Sequence, residues 1–565
     1  MKDQKLHEMR EFTNMRELIE WAGDAHGNRI AYSYRNKPSD KDIVKVSFNQ
    51  FRKDVRGLAS WLIAMGCQGK KCVVVGKFSY DFALVYYAVM SIGAVLVPLD
   101  KDWQAEELAK TAETAEGDFL FCDEDIRDKA EFIEKSLSLS EPVIYMLAKD
   151  NERNVSILSA KGQMLFTKDP SPYYDAPIDN EIMSLLVFTS GTTGKGKGVM
   201  LSQKNILSCI SSAVPYIDYS DKTVGVLPPH HTYGSSIMFV GHAMIGSEIY
   251  VSSGLRYITK ELKEQSPGHL VLVPLYLETF YRRIQATVKD QGKDKMLSRM
   301  IKVSNALRKT GVDKRRQLFS AVRAAFGGEI KTVISGGAPI NPEILSFFES
   351  IGISTLNGYG ITECAPLISF NRSKNIVPGS VGNVIDIDTV KISKPNEDGE
   401  GEILVKGPNV MLGYYKDEEA TNKAIDSLGY FKTGDYGRLD DKGVLYITGR
   451  KKNLIILSNG KNVYPEEIEN ELIAVPGVLE IVVYEGQSKR GLAHNAIVAE
   501  IYPDKDFFSK NGIEDIKGYL KGFVDEYNKT AVPYKKITVI KVRDDEFPKN
   551  TLRKIMRFKI DMTIE

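Results

Sequence analysis

"LLVFTSGTTGKGKGVMLS", Leu185 to Ser202, is the stretch on which the reading of this chain turns. A short apolar run gives way to Gly191, Gly194, Gly196 and Gly198, interleaved with the hydroxyls of Ser190, Thr192 and Thr193 and the ammonium groups of Lys195 and Lys197. Glycines leave backbone N–H groups open to ring an anion, and the hydroxyls and lysines add donors and charge. The spacing approaches a P-loop, with Gly191 and then Gly196-Lys197, but Gly198 stands where that motif has the Ser or Thr that holds magnesium. A linker rarely follows a strand such as "SLLVF" and precedes a helix start such as "LSQKNILS". The loop reads as a phosphate binder of another design.

On either side, β-branched runs alternate with amphipathic stretches: "KCVVVG", "AVLVPLD", "GDFLFC", "PVIYML", "GHLVLVP" and "KTVISGG". Strands separated by helical segments predict an α/β architecture with parallel sheets. "FALVYYAVMSIGAVLVPL", Phe82 to Leu99, has the length of a membrane span, yet Gly93 splits it, Ser79 and Asp81 offer a cap, and Pro98 lies near its end. It reads as a buried helix from about Asp81 to Ile92 followed by a buried strand. After about Asn375, short alternating strands with glycine turns ("SVGNVIDIDTVKIS", "GEILVKGPNVMLGYY") predict a small β-rich subdomain over about 376–449. Beyond Gly449, "LEIVVYEG", "NAIVAEIY" and two charged helices predict a separate α+β unit. The expected division is therefore 1–449 and 450–565.

The length of 565 residues requires more than one domain, and a net charge of +1 gives no global electrostatic case for nucleic acid. Cys67, Cys72, Cys122, Cys209 and Cys364 form no C-x-x-C pair, and the histidines show no H-E-x-x-H spacing. A cytoplasmic protein without structural zinc is expected. The opening "MKDQKLHEMREF" lacks the apolar core of a secretory signal. Charge is nevertheless uneven: between Arg282 and Arg323 thirteen Lys or Arg face three Asp or Glu. Apolar residues recur there at helical spacing, at Leu297, Met300, Ile301 and Leu307, then at Leu318, Phe319, Val322 and Phe326. This reads as surface helices with solvated basic faces, or as a patch for anionic lipid or the phosphates of a large cofactor.

Three further groups carry chemistry. "SGGAPI" (Ser335 to Ile340) and "NGYGITECAP" (Asn357 to Pro366) each follow a β-like run, where loops of open α/β sheets bind ligands. Tyr359, between Gly358 and Gly360, offers an aromatic face with open backbone on both sides, suited to stacking a base. Thr362 can donate to a phosphate, and Glu363 can hold a hard cation through carboxylate oxygen. In "YFKTGDYGRLDDKGVLYITGRKKNL", Asp435 is either an acceptor for both hydroxyls of a ribose or an Asx-turn residue. "PKNTLRKIMRFKI" puts Lys554 in a basic, partly apolar segment.

In order and spacing, "TSGTTG…KGV", "GYGITE", "TGD", "GR…K" and "NVYPEEIE" resemble the signature motifs of the AMP-forming adenylating enzymes: acyl-CoA synthetases, nonribosomal peptide adenylation domains and beetle luciferases. The resemblance runs from about Phe48 to Lys559. "GRKKNLIILSNGKNVYPEEIE", "VLVPLYLETFYRRI" and "TLRKIMR" look most like bacterial long-chain fatty acyl-CoA synthetases. Departures are Gly196 where a Pro is usual, Arg553 where a Gly is, and His230 where an aromatic is commoner.

The resemblance implies a large N-terminal domain of parallel α/β layers with its β-rich subdomain, then a small mobile α+β C-terminal domain. It implies ATP-dependent activation of a fatty acid to acyl-AMP and transfer to coenzyme A. The alternatives are loading of a carrier-protein phosphopantetheine, or a medium-chain or aryl acid as substrate; a P-loop NTPase and a non-catalytic lipid-binding protein are the rivals of another class. Carried over by motif, Thr189, Ser190, Gly191, Thr192, Thr193, Gly194 and Lys197 would cradle the β- and γ-phosphates. Gly337, Ala338, Asn357, Gly358, Tyr359 and Gly360 would line adenine, and Asp435 and Arg450 would hold the ribose. Thr362 would contact the α-phosphate, Glu363 would bind Mg2+, and His231 would lie in the substrate segment. Lys554 would bridge carboxylate and phosphate, and Lys452 would be the hinge for the C-terminal swing. The implied setting is the cytoplasm, peripherally on the inner face of the membrane, as a monomer or homodimer.

Overall fold

Ser79 accepts a hydrogen bond from the Phe82 N–H and so opens a helix over Tyr80–Met90, all eleven residues of which are buried. Gly93, at φ 72°, supplies the left-handed turn that releases the chain into the buried strand Val95–Leu99. The apolar stretch is thus a core helix and a core strand, as expected. No helix among the described residues is long and apolar enough to cross a membrane. The computed structural model describes residues 4–148, 151–189, 196–457, 462–488, 496–549 and 555–564.

The chain forms two compact units. The first comprises Met1–Gly337, Ile344–Thr389 and Val405–Phe431. Its largest sheet has seven strands, in the order Gly413–Tyr414, Lys197–Ser202, Met183–Thr189, Val95–Leu99, Lys71–Val75, Phe119–Asp123 and Ile144–Met146. From Met183–Thr189 to Ile144–Met146 the pairing is parallel, and the other two strands add antiparallel. A second sheet runs His269–Leu272, Thr332–Ser335 and Ser354–Gly360 in parallel, then Leu367–Phe370 and Asn383–Val384 antiparallel. A four-stranded sheet of Val44–Ser47, Ile30–Tyr34, Glu248–Val251 and Lys222–Gly225 completes the unit. The parallel strands read as continuous apolar runs because such strands are buried on both faces. Helices Phe48–Ala64 and Val155–Lys168 cross so closely that a Cβ on Gly162 would fall 1.9 Å from the Gly57 carbonyl oxygen.

The second unit comprises Ala338–Glu343, Val390–Leu404 and Lys432–Glu565. A sheet of Thr389–Ser393, Gly401–Lys406, Phe431–Leu439 and Leu445–Arg450 precedes an α+β segment. There Val478–Glu485, Ile497–Pro503 and Val539–Val542 form a sheet against helices Pro465–Leu472 and Ile516–Thr530, around Ile468, Val483, Ala499 and Leu520. The β-rich stretch serves more than one sheet: Asn383–Val384 extends the five-stranded sheet of the first unit and Gly413–Tyr414 its seven-stranded sheet.

In the seven-stranded sheet the chain reverses its order about Lys71–Val75, whose neighbours are Val95–Leu99 and Phe119–Asp123. Asp123 closes the last of these strands and is fully buried. One of its oxygens accepts from the Lys77 N–H at 2.8 Å, and the other has no hydrogen-bond partner. Burial pushes its carboxyl up to about 7. Between the unfolded value near 3.8 and about 7, the folded chain keeps a proton that the unfolded chain has released. Stability therefore falls as pH rises through that window, at ~1.4 kcal/mol per pH unit for this group. Asp123→Asn, which keeps the acceptor and loses the charge, is expected to be more stable than the parent above neutral pH and to flatten this slope. Urea midpoints at mildly acidic and mildly alkaline pH check it; an unchanged slope in the variant would exclude the assignment.

Candidate active site

The glycine-rich loop joins two antiparallel strands. Met183–Thr189 and Lys197–Ser202 pair through Thr189 opposite Lys197, and the Thr189 hydroxyl donates to the Lys197 carbonyl at 3.4 Å. Ser190, Gly191, Thr192, Thr193 and Gly194 lie outside the described residues. The helix expected after the loop comes one element later: the strand Lys197–Ser202 intervenes, and Ser202 then caps Gln203–Ala213 in a reciprocal capping box with Asn205. A P-loop aims a helix N-terminus at its phosphate. A hairpin loop has none, which removes the P-loop reading on topology as well as on sequence.

Residues 408–415 form a strap that fixes the seven-stranded and the five-stranded sheets of the first unit to one another. On one side Gly413 and Tyr414 pair with Met200 and Val199, the Tyr415 N–H donates to Gly198, and Asn205 donates to the carbonyls of Pro408 and Val410. On the other, the Met411 N–H donates to the Glu363 carbonyl at 2.8 Å, and buried Asn409 donates to the carbonyls of Cys364 and Leu367. The result brings together two residues far apart in sequence. The Tyr414 hydroxyl donates to Glu363 Oε1 at 2.9 Å, and Lys197 Nζ stands 4.5 Å from the centre of the Tyr414 ring. Burial and the adjacent Glu363 carboxylate push the Tyr414 phenol up, so it stays a donor. Lys197 is exposed and Glu363 half-buried. An exposed ammonium and an oriented carboxylate at the base of a glycine loop suit a polyphosphate and its cation.

Among the described residues no three His, Cys, Asp or Glu gather as a metal cage. Mg2+ takes one or two carboxylates and completes its shell with water and substrate phosphates. Glu363, with one oxygen held by Tyr414, is a suitable single ligand.

Thr362 and Glu363 share a short turn, Thr362–Cys364, that follows Ser354–Gly360. Within that strand Asn357 donates to the Ser380 carbonyl at 3.3 Å, and Tyr359 is half-buried. The glycines beside Tyr359 do not leave open backbone on both sides. A Cβ on Gly360 would fall 1.8 Å from the Pro366 carbonyl oxygen, and one on Gly358 would fall 3.3 Å from Phe370 Cβ. The Pro366 carbonyl, just before the antiparallel partner Leu367–Phe370, leaves no room for a side chain at residue 360, and Phe370 of that partner packs tightly on Gly358. Gly337, exposed at φ 89°, turns the chain after Thr332–Ser335.

His231 precedes the helical turn Thr232–Ser235, and its carbonyl accepts from the Ser235 N–H at 2.9 Å. Its ring meets that of His230 at 4.2 Å between centres. His230 Nε2 lies 3.4 Å from Asp100 Oδ2, yet burial pulls the His230 imidazole down to about 4. At neutral pH it is an uncharged ring, so the departure from the commoner aromatic introduces no charge.

In the second unit, Asp435 lies within the strand Phe431–Leu439 directly opposite Arg450, the last residue of Leu445–Arg450. Asp435 is 3% exposed and its Oδ1 is 3.0 Å from Arg450 Nε. An Asx-turn role is thereby removed: this is a strand carboxylate held by a guanidinium. Ala338 belongs to the same unit and is half-buried. Lys452 follows in the turn Lys451–Asn453, where burial and the nearby Arg450 and Arg557 push its ammonium down. Lys554 lies outside the described residues. Sequence reasoning missed the strap; the only hint was "GPNVMLGYY", which reads as one more short strand.

Residues 19–415 match the AMP-binding enzyme family. The chain belongs to that family. This AMP-binding enzyme is 27% identical over 490 residues to the long-chain-fatty-acid–CoA ligase FadD15 of Mycobacterium bovis, covering 81% of this chain and 80% of that one. It is 26% identical over 587 residues to a chloroplastic long-chain-fatty-acid–[acyl-carrier-protein] ligase, AEE15, of Arabidopsis thaliana, covering 89% and 78%. Its fold is similar to that of ATP-bound MatB from Rhodopseudomonas palustris, with a TM-score of 0.74 at 24% identity over 96% of this chain and 97% of that one. The AMP-binding enzyme thus has the expected α/β fold, with a large N-terminal part and a small C-terminal one.

Two substitutions test the two groups separately. Tyr414→Phe removes the donor to Glu363, and a hydrogen bond to a charged group is worth roughly 1.5–3 kcal/mol. ATP–pyrophosphate exchange is expected to fall about ten- to a hundredfold, with a raised magnesium requirement and unchanged thermal stability; an unchanged magnesium dependence would separate Tyr414 from the cation. Asp435→Ala is expected to weaken nucleotide binding by about tenfold or more while sparing acid binding. Unchanged nucleotide affinity, measured calorimetrically on the folded variant, would limit Asp435 to a structural role.

Proposed function

We propose that this AMP-binding enzyme activates a long-chain fatty acid with ATP and transfers the acyl group to coenzyme A. The observation that carries the proposal is the meeting of Lys197 and Glu363 at Tyr414, beside the glycine loop and immediately after the Gly358-Tyr359-Gly360 strand. The names of the curated relatives at 27% and 26% identity support the acid class.

A fatty carboxylate is ionised at neutral pH and needs no general base. One of its oxygens attacks the α-phosphorus of ATP as the bond to the β-phosphate bridging oxygen breaks and pyrophosphate leaves. The difficulty is electrostatic, because an anion approaches a polyanion; positioning and neutralisation are the chain's task. In this reading the Thr189 to Lys197 loop cradles the β- and γ-phosphates, with Lys197 neutralising them. Thr362 contacts the α-phosphate, and Glu363, oriented by Tyr414, would hold Mg2+. That cation, when bound, offsets phosphate charge. Asn357 to Gly360, with Gly337 and Ala338, lines adenine. Asp435, oriented by Arg450, accepts from the ribose hydroxyls. His231 borders the acid, and Lys554 bridges carboxylate and α-phosphate. The coenzyme A sulfur then attacks the acyl carbon, the bond to the phosphate oxygen breaks, AMP leaves, and the thiol proton passes to solvent. Lys452 is the hinge that exchanges Lys554 for the 457–467 segment between the two steps, with the domains taken as 1–449 and 450–565. The enzyme works in the cytoplasm as a monomer or homodimer, within reach of the membrane into which long-chain acids partition.

The Arabidopsis relative favours one second reading, in which a carrier-protein phosphopantetheine is the acceptor. Incubation with ATP, palmitate and either coenzyme A or acyl-carrier protein decides between them: AMP with palmitoyl-CoA is expected, and AMP with only acyl-carrier protein would transfer the proposal to the second acceptor. Lys554→Ala is expected to lower ATP–pyrophosphate exchange on the order of a hundred- to a thousandfold, the cost of losing one preorganised charge. It should still convert supplied palmitoyl-adenylate to palmitoyl-CoA. Equal loss in both halves would contradict the division of labour.

A further inference from the structure

Asn409, wholly buried in the strap, faces more acceptors than it has donors. Its amide nitrogen lies 3.2 Å from the Cys364 carbonyl, 2.9 Å from that of Leu367 and 3.0 Å from Asp388 Oδ2. A primary amide has only two N–H groups to give. Its oxygen has the reverse problem: Asn409 Oδ1 is buried with no hydrogen-bond donor among the described residues, and so is Asp388 Oδ1. These two oxygens border one small space, because a Cβ on Gly407 would fall 1.9 Å from Asp388 Oδ1 and 2.8 Å from Asn409 Oδ1. Exchanging the nitrogen and oxygen of the amide makes matters worse, since it sets an oxygen against two carbonyls and a carboxylate.

An ionised Asp388 would leave both oxygens buried without a donor, at the cost of their desolvation. A neutral carboxylic acid closes the count. Asp388 Oδ1–H then donates to Asn409 Oδ1, Asp388 Oδ2 accepts from one Asn409 N–H, and the other N–H is shared by the carbonyls of Cys364 and Leu367. Nothing nearby favours the charge. Asp388 has no ion-pair partner among the described residues, and burial pushes its carboxyl up to about 7. The titratable group that faces it is Cys209, whose thiol donates to the same two carbonyls at 3.7 and 3.8 Å and is itself pushed up by burial. Asp386, two residues earlier, is held by Arg372 and Tyr216.

We propose that Asp388 is a positioning residue that works as a neutral acid: its carboxyl closes a ring of two hydrogen bonds with Asn409 and so holds the strap that sets Tyr414 against Glu363. Loss of the proton turns the donor into a second acceptor opposite Asn409 Oδ1 and opens the ring. Asn409 ties the strap to the turn that carries Glu363, through Cys364 and Leu367. The consequence therefore falls on the Tyr414–Glu363 contact and the cation it serves. Its kinetic readout rests on the proposed function; the proton itself does not.

ATP–pyrophosphate exchange with palmitate is followed from mildly acidic to mildly alkaline pH in the parent, Asp388→Asn and Asp388→Ala. Asparagine donates and accepts at the same two places as the neutral acid, so Asp388→Asn should match the parent at mildly acidic pH. As pH rises above about 7 the parent should lose exchange, by up to roughly tenfold per pH unit, and require more magnesium. Asp388→Asn should show neither change. Asp388→Ala, which leaves Asn409 Oδ1 without a partner, should lose roughly tenfold at every pH. Urea midpoints give a readout that needs no substrate. Between the unfolded value near 3.8 and about 7 only the folded chain keeps this proton, so stability falls as pH rises through that window. In an Asp123→Asn background, Asp388→Asn should flatten the remaining fall. An unchanged slope there, the same alkaline loss in Asp388→Asn, or an Asp388→Asn chain that loses exchange or fold at mildly acidic pH would overturn the proposal. A parent without palmitate-dependent exchange would defeat the proposed function instead, and the midpoints would still decide whether Asp388 carries the proton.

Discussion

The hydrogen bond from Tyr414 to Glu363 depends on a strap, and the phosphate end of the candidate site depends on that bond. Lys197 ends one strand of a hairpin in the seven-stranded sheet; Glu363 follows the third strand of a different sheet. Neither sheet alone holds a cation against a carboxylate at a set distance. Residues 408–415 do so by spending backbone groups in both directions, on Gly198, Val199 and Met200 and on Glu363. Buried Asn205 and Asn409 carry the side-chain part of that joint, each donating to two carbonyls. Buried amides left without such partners would be costly, so the geometry is narrowly specified.

The same logic of fixed charge governs the ribose group. Asp435 is almost wholly removed from water, and burying a carboxylate is costly unless a cation pairs with it. Arg450, directly across the ladder, provides it and remains nearly half exposed, with donors to spare for a ligand. His230 shows the reverse. Burial outweighs the nearby carboxylates and neutralises it, and it packs against His231 as an aromatic ring would.

Much of this was legible from the residues. Continuous apolar runs such as "KCVVVG" and "GDFLFC" announce strands covered on both faces, and Ser79 with Gly93 delimits the core helix between them. The phosphate loop and the Thr-Gly-Asp carboxylate were visible as chemistry. What escaped was long-range: that a strand follows the loop, that Gly360 is glycine for the sake of Pro366, and that "GPNVMLGYY" is a strap joining two sheets. Each depends on what lies across space from a residue, which local spacing does not encode. The basic segment misled for the same reason, because its apolar stripe marks the core face and the exposed row is set one residue away, at Met296 and Val303.

The central claim is that a carboxylate oxygen of the acid attacks the α-phosphorus of ATP and that this bond survives until the thioester forms. Palmitate labelled with 18O in both carboxylate oxygens tests it directly, with mass spectrometry of the products after complete turnover with ATP and coenzyme A. The account predicts one labelled oxygen in AMP, one retained in the thioester carbonyl and none in pyrophosphate. Label in pyrophosphate or inorganic phosphate, or unlabelled AMP, would contradict it.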